Sequence, residues 1–194
     1  MGRYIVVSGL PATGKSTVAR EIAGSLGLPL LDKDDFLEAL FDGVIVESEQ
    51  RRRKLSRAAD VEFRRRAEQL DSAVLTSWWK HPRSSADSGT PVDWLHSLSG
   101  LRIEVHCTCS PVMSAVRFIE RVRHSGHLDG RWTHAELLEV LTKQEKHGPL
   151  GTGKLVEVGT DAGFEIDKVM RDIERAFEAV AIDIDRPRHF RELP

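Results

Sequence analysis

Gly9-Leu10-Pro11-Ala12-Thr13-Gly14-Lys15-Ser16 fits the spacing G-x-x-x-x-G-K-[S/T] at every fixed position. Its chemistry is anion capture. Glycines at both ends let the backbone wrap a phosphate, so that successive N–H groups from Gly9, Ala12, Thr13 and Gly14 point at its oxygens. Lys15 adds a positive charge at the β- and γ-phosphates, and the Ser16 hydroxyl is a ligand for Mg²⁺. A helix opening at Lys15, with Ser16 and Thr17 in its first turn, directs its positive end at the same anion.

A second group of chemically capable residues is the acidic run Asp32-Lys33-Asp34-Asp35. Asp32 and Asp34 form D-x-D. One carboxylate can support Mg²⁺ through water, here Asp32, and the other can orient or deprotonate an acceptor hydroxyl, here Asp34. Asp35 reads as a cap for the helix that follows. A third group is basic: Arg117, Arg121 and Arg123, followed by His124-Ser125-Gly126-His127. Arg117 and Arg121 stand four apart, hence on one helical face. A basic helix leading into a glycine-containing loop suits a lid over residues 117–132, whose guanidinium groups neutralise a transferring phosphate and exclude water. Ser77-Trp78-Trp79 offers an aromatic wall suited to a sugar or a flat ring, with Trp78 taken as a substrate contact.

The elements that must position these groups follow from hydrophobic period. Arg3 to Ser8 contains the β-branched run of a buried strand, and Lys15 to Leu26 has helical spacing through Val18, Ile22 and Leu26. Further strands are expected at Leu28–Leu31, Ala73–Thr76, Leu101–Cys107 and Leu155–Val158. Helices are expected at Phe36–Phe41, Ser48–Leu70, Val92–Leu98, Ser110–Arg123, Thr133–Lys146 and Phe164–Ala179. The long helix carries Leu55, Ala59, Phe63, Ala67 and Leu70 as one stripe, and Lys80 to Pro91 reads as a loop. Arg186 to Pro194 has no periodicity. Strands alternating with helices give an α/β fold, a parallel sheet sandwiched between helices, expected as a single domain over residues 1–194. Ligands in such sheets sit beyond the carboxyl ends of the strands, where all three strand-following groups fall.

Composition narrows the partners. The 194 residues are 40% hydrophobic and 30% charged with a formal net charge of −2, so nothing global recruits nucleic acid or an anionic membrane. No apolar run spans a bilayer and no secretory leader is evident, which points to the cytoplasm. Cys107 and Cys109 read as strand-packed thiols. Arg51–Lys54 and Arg64–Arg66 make the long helix basic in patches offset by acids, with Arg57 or Arg64 available to an acceptor. Gly151-Thr152-Gly153-Lys154 imitates a phosphate loop but lacks its spacing and reads as a turn. The guanine-selecting Asn-Lys-x-Asp is absent, so adenine is the expected base.

Together Gly9–Thr17, Asp32–Asp35 and the Arg117–Arg123 segment resemble the small P-loop kinases: shikimate kinase, gluconate kinase and chloramphenicol phosphotransferase. The likeness is greatest to kinases of the AAA-type ATP-binding group, in which a strand ending in Asp-Asp precedes a short helix. The resemblance implies a nucleoside-monophosphate-kinase-like fold and ATP:alcohol phosphotransfer to a small molecule. ATP and Mg²⁺ would be the cofactors, Lys15, Asp34, Arg121 and Arg123 the catalytic groups, and the assembly a monomer or homodimer. It also places Thr160, in Val158-Gly159-Thr160-Asp161, beside the adenine, with Arg117 on the nucleotide. Two departures stand out: the strand ending Leu75-Thr76-Ser77 lacks an Asp, and Trp78-Trp79 is unusual there. A polynucleotide 5′-hydroxyl kinase and a non-kinase ATP-dependent switch that binds a partner protein are the alternatives.

Overall fold

The structure, a computed structural model, describes residues 1–185; the patternless tail expected at Arg186–Pro194 lies outside them. Five strands, β1 (Arg3–Gly9), β2 (Leu30–Asp32), β3 (Ala73–Thr76), β4 (Leu101–Thr108) and β5 (Lys154–Gly159), form one sheet in the order β2-β3-β1-β4-β5. Every pairing is parallel. The central strand explains why: Ile5 and Val7 are buried on one face while Tyr4 and Val6 are buried on the other. A strand apolar on both sides needs helices on both sides.

The helices are α1 (Lys15–Leu26), α2 (Lys33–Phe41), α3 (Glu49–Glu68), α4 (Pro111–Glu120), α5 (His134–Glu145) and α6 (Ile166–Asp185). Val18 and Ile22 of α1 and Ile173 and Phe177 of α6 seal the Ile5–Val7 face. Phe63 and Ala67 of α3, with Trp79, Trp94 and Leu95, seal the Tyr4–Val6 face. Of the stripe expected on α3, Ala59, Phe63 and Ala67 are buried, and Leu55 and Leu70 pack at its margins. Leu10 and Ala12 pack against Ala115, Phe118, Leu137 and Leu141, so α4 and α5 support the loop after β1.

Two helix boundaries differ from the sequence reading in ways that matter for the site. Helix α2 opens at Lys33, because the Asp32 carboxylate caps it by accepting the Asp34 N–H at 3.1 Å; Asp35 is a first-turn residue and not the cap. Helix α4 stops at Glu120, and Arg121 is extended, so Arg117 and Arg121 do not share a helical face. The helix gives way because Asp129 draws the guanidinium groups of Arg121 and Arg123 together, at 2.9 and 3.2 Å. Residues 125–131 form two short 3₁₀ turns, Ser125–His127 and Asp129–Arg131, and the segment expected as helix at Val92–Leu98 is also 3₁₀, at Asp93–Ser97. Among the described residues no helix is long and apolar enough to cross a membrane.

Candidate active site

Register brings the chemistry to one edge. Val7 pairs with Thr76 and Thr76 with Asp32, so the segments leaving β1, β2 and β3 emerge side by side. Trp79 adds a tie by donating its indole N–H to the Val7 carbonyl at 2.8 Å.

The loop after β1 is shaped by sterics as much as by its ligand. Gly9 has φ +132°, and a Cβ there would lie 2.4 Å from the Cys107 carbonyl oxygen. Ala12 takes φ 60° and Gly14 φ 81°, left-handed values that turn successive N–H groups inward; for Ala12 this is stored strain of the kind found at functional sites. Thr13 is fully buried, its hydroxyl donating to the Leu10 carbonyl at 2.9 Å. Lys15 folds back and donates to that same carbonyl at 2.6 Å. Burial pulls the Lys15 ammonium down to about 8, against the raising effect of Cys107, Asp34 and Asp32. An ammonium short of counter-charge is suited to an arriving phosphate.

Ser16 donates to Asp32 Oδ2 at 2.6 Å. Burial raises the Asp32 carboxyl, with the adjacent Asp34 adding to that and the Ser16 bond opposing it. Two hard oxygens in contact at a phosphate loop fit Mg²⁺, which binds through few protein oxygens and completes its shell with water and phosphate. Among the described residues there is no cluster of three or more His, Cys, Asp or Glu side chains able to hold a metal.

Asp34 is half exposed and ion-paired with Arg123. Burial pushes its carboxyl up, yet Arg123, His127, Lys33 and Lys15 outweigh that and hold it below the ordinary 3.8. Arg121 stacks over the Phe118 ring at 4.0 Å, and its buried Nε has no partner. The 121–131 segment docks on α2 through His127 Nε2 and Glu38, 2.8 Å apart, and through Phe41, which stacks on His124 with centroids 5.2 Å apart. A Cβ on Gly126 would meet the Phe41 ring at 2.6 Å. The structure thus gathers Lys15, Ser16, Asp32, Asp34, Arg121 and Arg123, with Thr17 exposed beside them at the start of α1.

Arg117 lies elsewhere: it donates to the carbonyls of Thr160 and Asp161 at 2.9 and 3.0 Å. Thr160 in turn donates to the Thr13 carbonyl at 2.8 Å, pinning this corner to the phosphate loop. Arg57 is exposed and pairs with Asp87 at 2.9 Å, and no contact joins it to the Asp34 cluster. Trp78 is exposed on the wall of a pocket beyond Leu10 and Pro11, whereas Trp79 is core.

Sequence reasoning missed two buried networks. Lys33 reaches Ser56 at 2.5 Å and Asp60 at 3.6 Å, while Asp60 accepts from Thr90, which also meets Ser77. This chain ties α2 and α3 to the segment after β3. Glu104, fully buried in β4, accepts from Ser8 and from the backbone N–H groups of Leu150, Gly151 and Thr152 at 2.6–3.1 Å. The Gly151–Lys154 turn is therefore an anion cradle whose anion is internal. Leu101–Cys107 alternates apolar residues with Arg102, Glu104 and His106, so Glu104 did not stand out as a buried carboxylate. Cys107 and Cys109 are both buried and free.

The fold is shared with proteins of known structure. Over 92% of this chain and 97% of the other, it is similar to a kinase candidate from Chloroflexus aurantiacus, with 22% identity and a TM-score of 0.72. Shikimate kinase from Bacteroides thetaiotaomicron is similar over 92% of this chain and 98% of its own, with 20% identity and a TM-score of 0.56. A gluconokinase from Sinorhizobium meliloti is similar over 93% and 94%, with 18% identity and a TM-score of 0.53. The comparison with curated proteins returns no match. At these identities the structural likeness fixes the fold, a P-loop α/β fold of the small-molecule kinase type, and that fold implies nucleotide binding. A family model described as AAA domain matches residues 5–127, the part of the chain that carries the phosphate loop, the Asp32–Asp35 run and the arginines, and the chain belongs to that family.

Proposed function

We propose that this protein is a cytoplasmic ATP-dependent phosphotransferase that moves the γ-phosphate to a hydroxyl of a small molecule. The observation that carries this reading is the Asp34 carboxylate, held ionised at the sheet edge between Lys15 and Arg123. An ATP-dependent switch has no need of a half-open carboxylate beside its phosphate lysine. An acceptor hydroxyl does.

The roles follow from the contacts. Backbone N–H groups of Gly9 and Ala12 to Gly14 hold the β- and γ-phosphates, and Lys15 exchanges the Leu10 carbonyl for a phosphate oxygen. Ser16 and Asp32 hold Mg²⁺, which when bound neutralises phosphate charge. Arg117, Thr160 and the exposed Thr17 line the nucleotide's path toward the Asp161 turn. Arg121, with its unpartnered Nε, and Arg123 act as a lid over the phosphoryl group. Asp34 orients the acceptor hydroxyl and receives its proton as the oxygen bonds phosphorus and the bond to the β–γ bridging oxygen breaks. Arg57 takes a role only at the rim, through Asp87 on the loop that carries Trp78. The nucleic-acid reading is the weaker one, because part of the basic charge of α3 is offset by acids, with Arg53, Arg64 and Arg65 paired with Glu49, Glu68 and Glu62.

The test is ADP release with Mg²⁺ against a panel of sugars, amino sugars, cyclitols, nucleosides and 5′-hydroxyl oligonucleotides, with Lys15→Ala as the blank. Acceptor-dependent release by the parent alone supports the reading. ATP binding with no acceptor raising turnover moves the switch reading ahead.

A further inference from the structure

Beside Leu10 and Pro11 lies a pocket of about 100 Å³, bounded also by Trp78, by His106 near the end of β4, by Gln144 and Glu145 in the last turn of α5, and by His147, Gly148 and Leu150 beyond it. Its volume is room for several waters, enough to receive part of a small hydroxylated ring. Leu10 borders both sites: it lines the pocket, and its carbonyl takes the Lys15 ammonium.

The polar wall of this pocket is built from inside the sheet. Ser8 has one hydroxyl proton and two neighbours, Glu104 Oε1 at 2.6 Å and His106 Nδ1 at 2.8 Å. The Glu104 oxygens already collect three backbone N–H groups and act purely as acceptors, so the Ser8 proton goes to Glu104. Ser8 Oγ is then an acceptor for His106, which places the imidazole proton on Nδ1. Nε2 is left bare; it has no protein partner among the described residues and is not sealed from solvent. Burial holds the imidazole below 6.5 despite Glu104 and Glu157, with Lys15 and His81 adding to the lowering, so it is neutral at pH 7.

The charge of the other walls decides the ligand class. Lys80 and Glu145 supply one charge of each sign, and no lining residue is an arginine. The nearby Arg83 guanidinium is engaged by the His147 carbonyl. With Lys80 offset by Glu145 and no guanidinium fork in its walls, the pocket suits a neutral ligand better than a carboxylate.

We infer that this pocket seats the ring of a neutral, hydroxylated acceptor, its face against Trp78 and one hydroxyl donating to His106 Nε2. A second hydroxyl is then free for the transfer site beyond Leu10. This inference rests on the phosphotransfer reading for its context but not for its test, because the Glu104–Ser8–His106 relay is readable without turnover.

The experiment is long-range nitrogen-15 NMR of the histidines in the full chain, with tryptophan fluorescence and ADP release read in the same samples. The probes are two matched pairs, glucose with glucuronate and myo-inositol with quinate. The expected spectrum has His106 protonated at Nδ1 at pH 7, and Ser8→Ala abolishes that preference. A neutral ring shifts Nε2 and quenches tryptophan more strongly than its acid partner, and His106→Gln weakens this binding about tenfold, the worth of one hydrogen bond. An Nε2-protonated His106, a preference for the acids, no shift with any probe, or unchanged binding in His106→Gln overturns the inference. Turnover of an acid with His106 unmoved overturns it and leaves the kinase reading intact. Binding that shifts Nε2 without any ADP release upholds the pocket and leaves the kinase reading without support from these four probes.

Discussion

Lys15 and Asp34 show how the same few atoms serve folding badly and chemistry well. The Lys15 ammonium is desolvated, with a neutral carbonyl as its hydrogen-bond partner. Removing it should relieve the folded state while emptying the site of its phosphate charge. Lys15→Ala is expected to lose about 10²–10³ in kcat, the scale of one preorganised charge contact. Its Tm should equal or exceed the parent's, and a lowered Tm would mean that the lysine is structural. At this scale the sequence was informative where a motif imposes its own geometry. Gly9 to Ser16 point to roles because that spacing constrains each fixed residue; the D-x-D pair is less constrained, since Asp32 also caps α2. Arg57 points to none, since a lone arginine on a charged helix carries no spacing information, and it pairs with Asp87. The Glu104 nest was invisible because its donors come from a turn 46–48 residues away.

Element boundaries turned on capping and ion pairing, which act across short stretches of chain. Helices α1 and α5 begin and end within a residue of the pattern, fixed by Gly14 and Gly27 for one and by the Thr133–Glu136 capping box for the other. Helix α4 ended three residues early because Asp129, eight residues beyond Arg121, competes for its last arginines, a contact no helical period announces. The docked 121–131 segment has its own test. Gly126→Ala forces a methyl onto Phe41, an overpacking worth about 1–3 kcal/mol, while Gly130→Ala meets nothing within 4 Å. Hydrogen exchange across residues 121–131 should quicken in the first variant and hold in the second; equal protection in both would deny that this contact seats the segment. Glu104→Gln turns an amide against the backbone N–H groups and should cost about 1–3 kcal/mol in denaturant unfolding. A variant as stable as its parent would mean that the carboxylate does not hold the 150–152 turn.

Across the whole molecule, the parallel sheet and its two-sided core were legible because strands alternate with helices and β1 is apolar on both faces, whereas the strand order β2-β3-β1-β4-β5 came from the structure. What the sequence could not supply was the balance of charge around the cluster, which depends on burial. Desolvation is the leading cause that holds His81, His106 and His127 below 6.5. The unfolded chain then binds protons that the folded chain refuses as pH falls through about 6.5, so stability is greatest above that value and declines beneath it. Urea midpoints from pH 8 to pH 5 should fall on the acid side, and a flat profile would contradict the burial of these rings. In the proposed mechanism Asp34 serves the acceptor and not the nucleotide. The direct measurement is single-turnover transfer from γ-labelled ATP in the parent and in Asp34→Asn, with nucleotide affinity measured alongside. Nucleotide affinity is expected to stay within about threefold of the parent and labelled product to form about 10²–10⁴ more slowly, the contribution of a positioned base. Transfer at the parental rate, or nucleotide binding lost together with transfer, would contradict it.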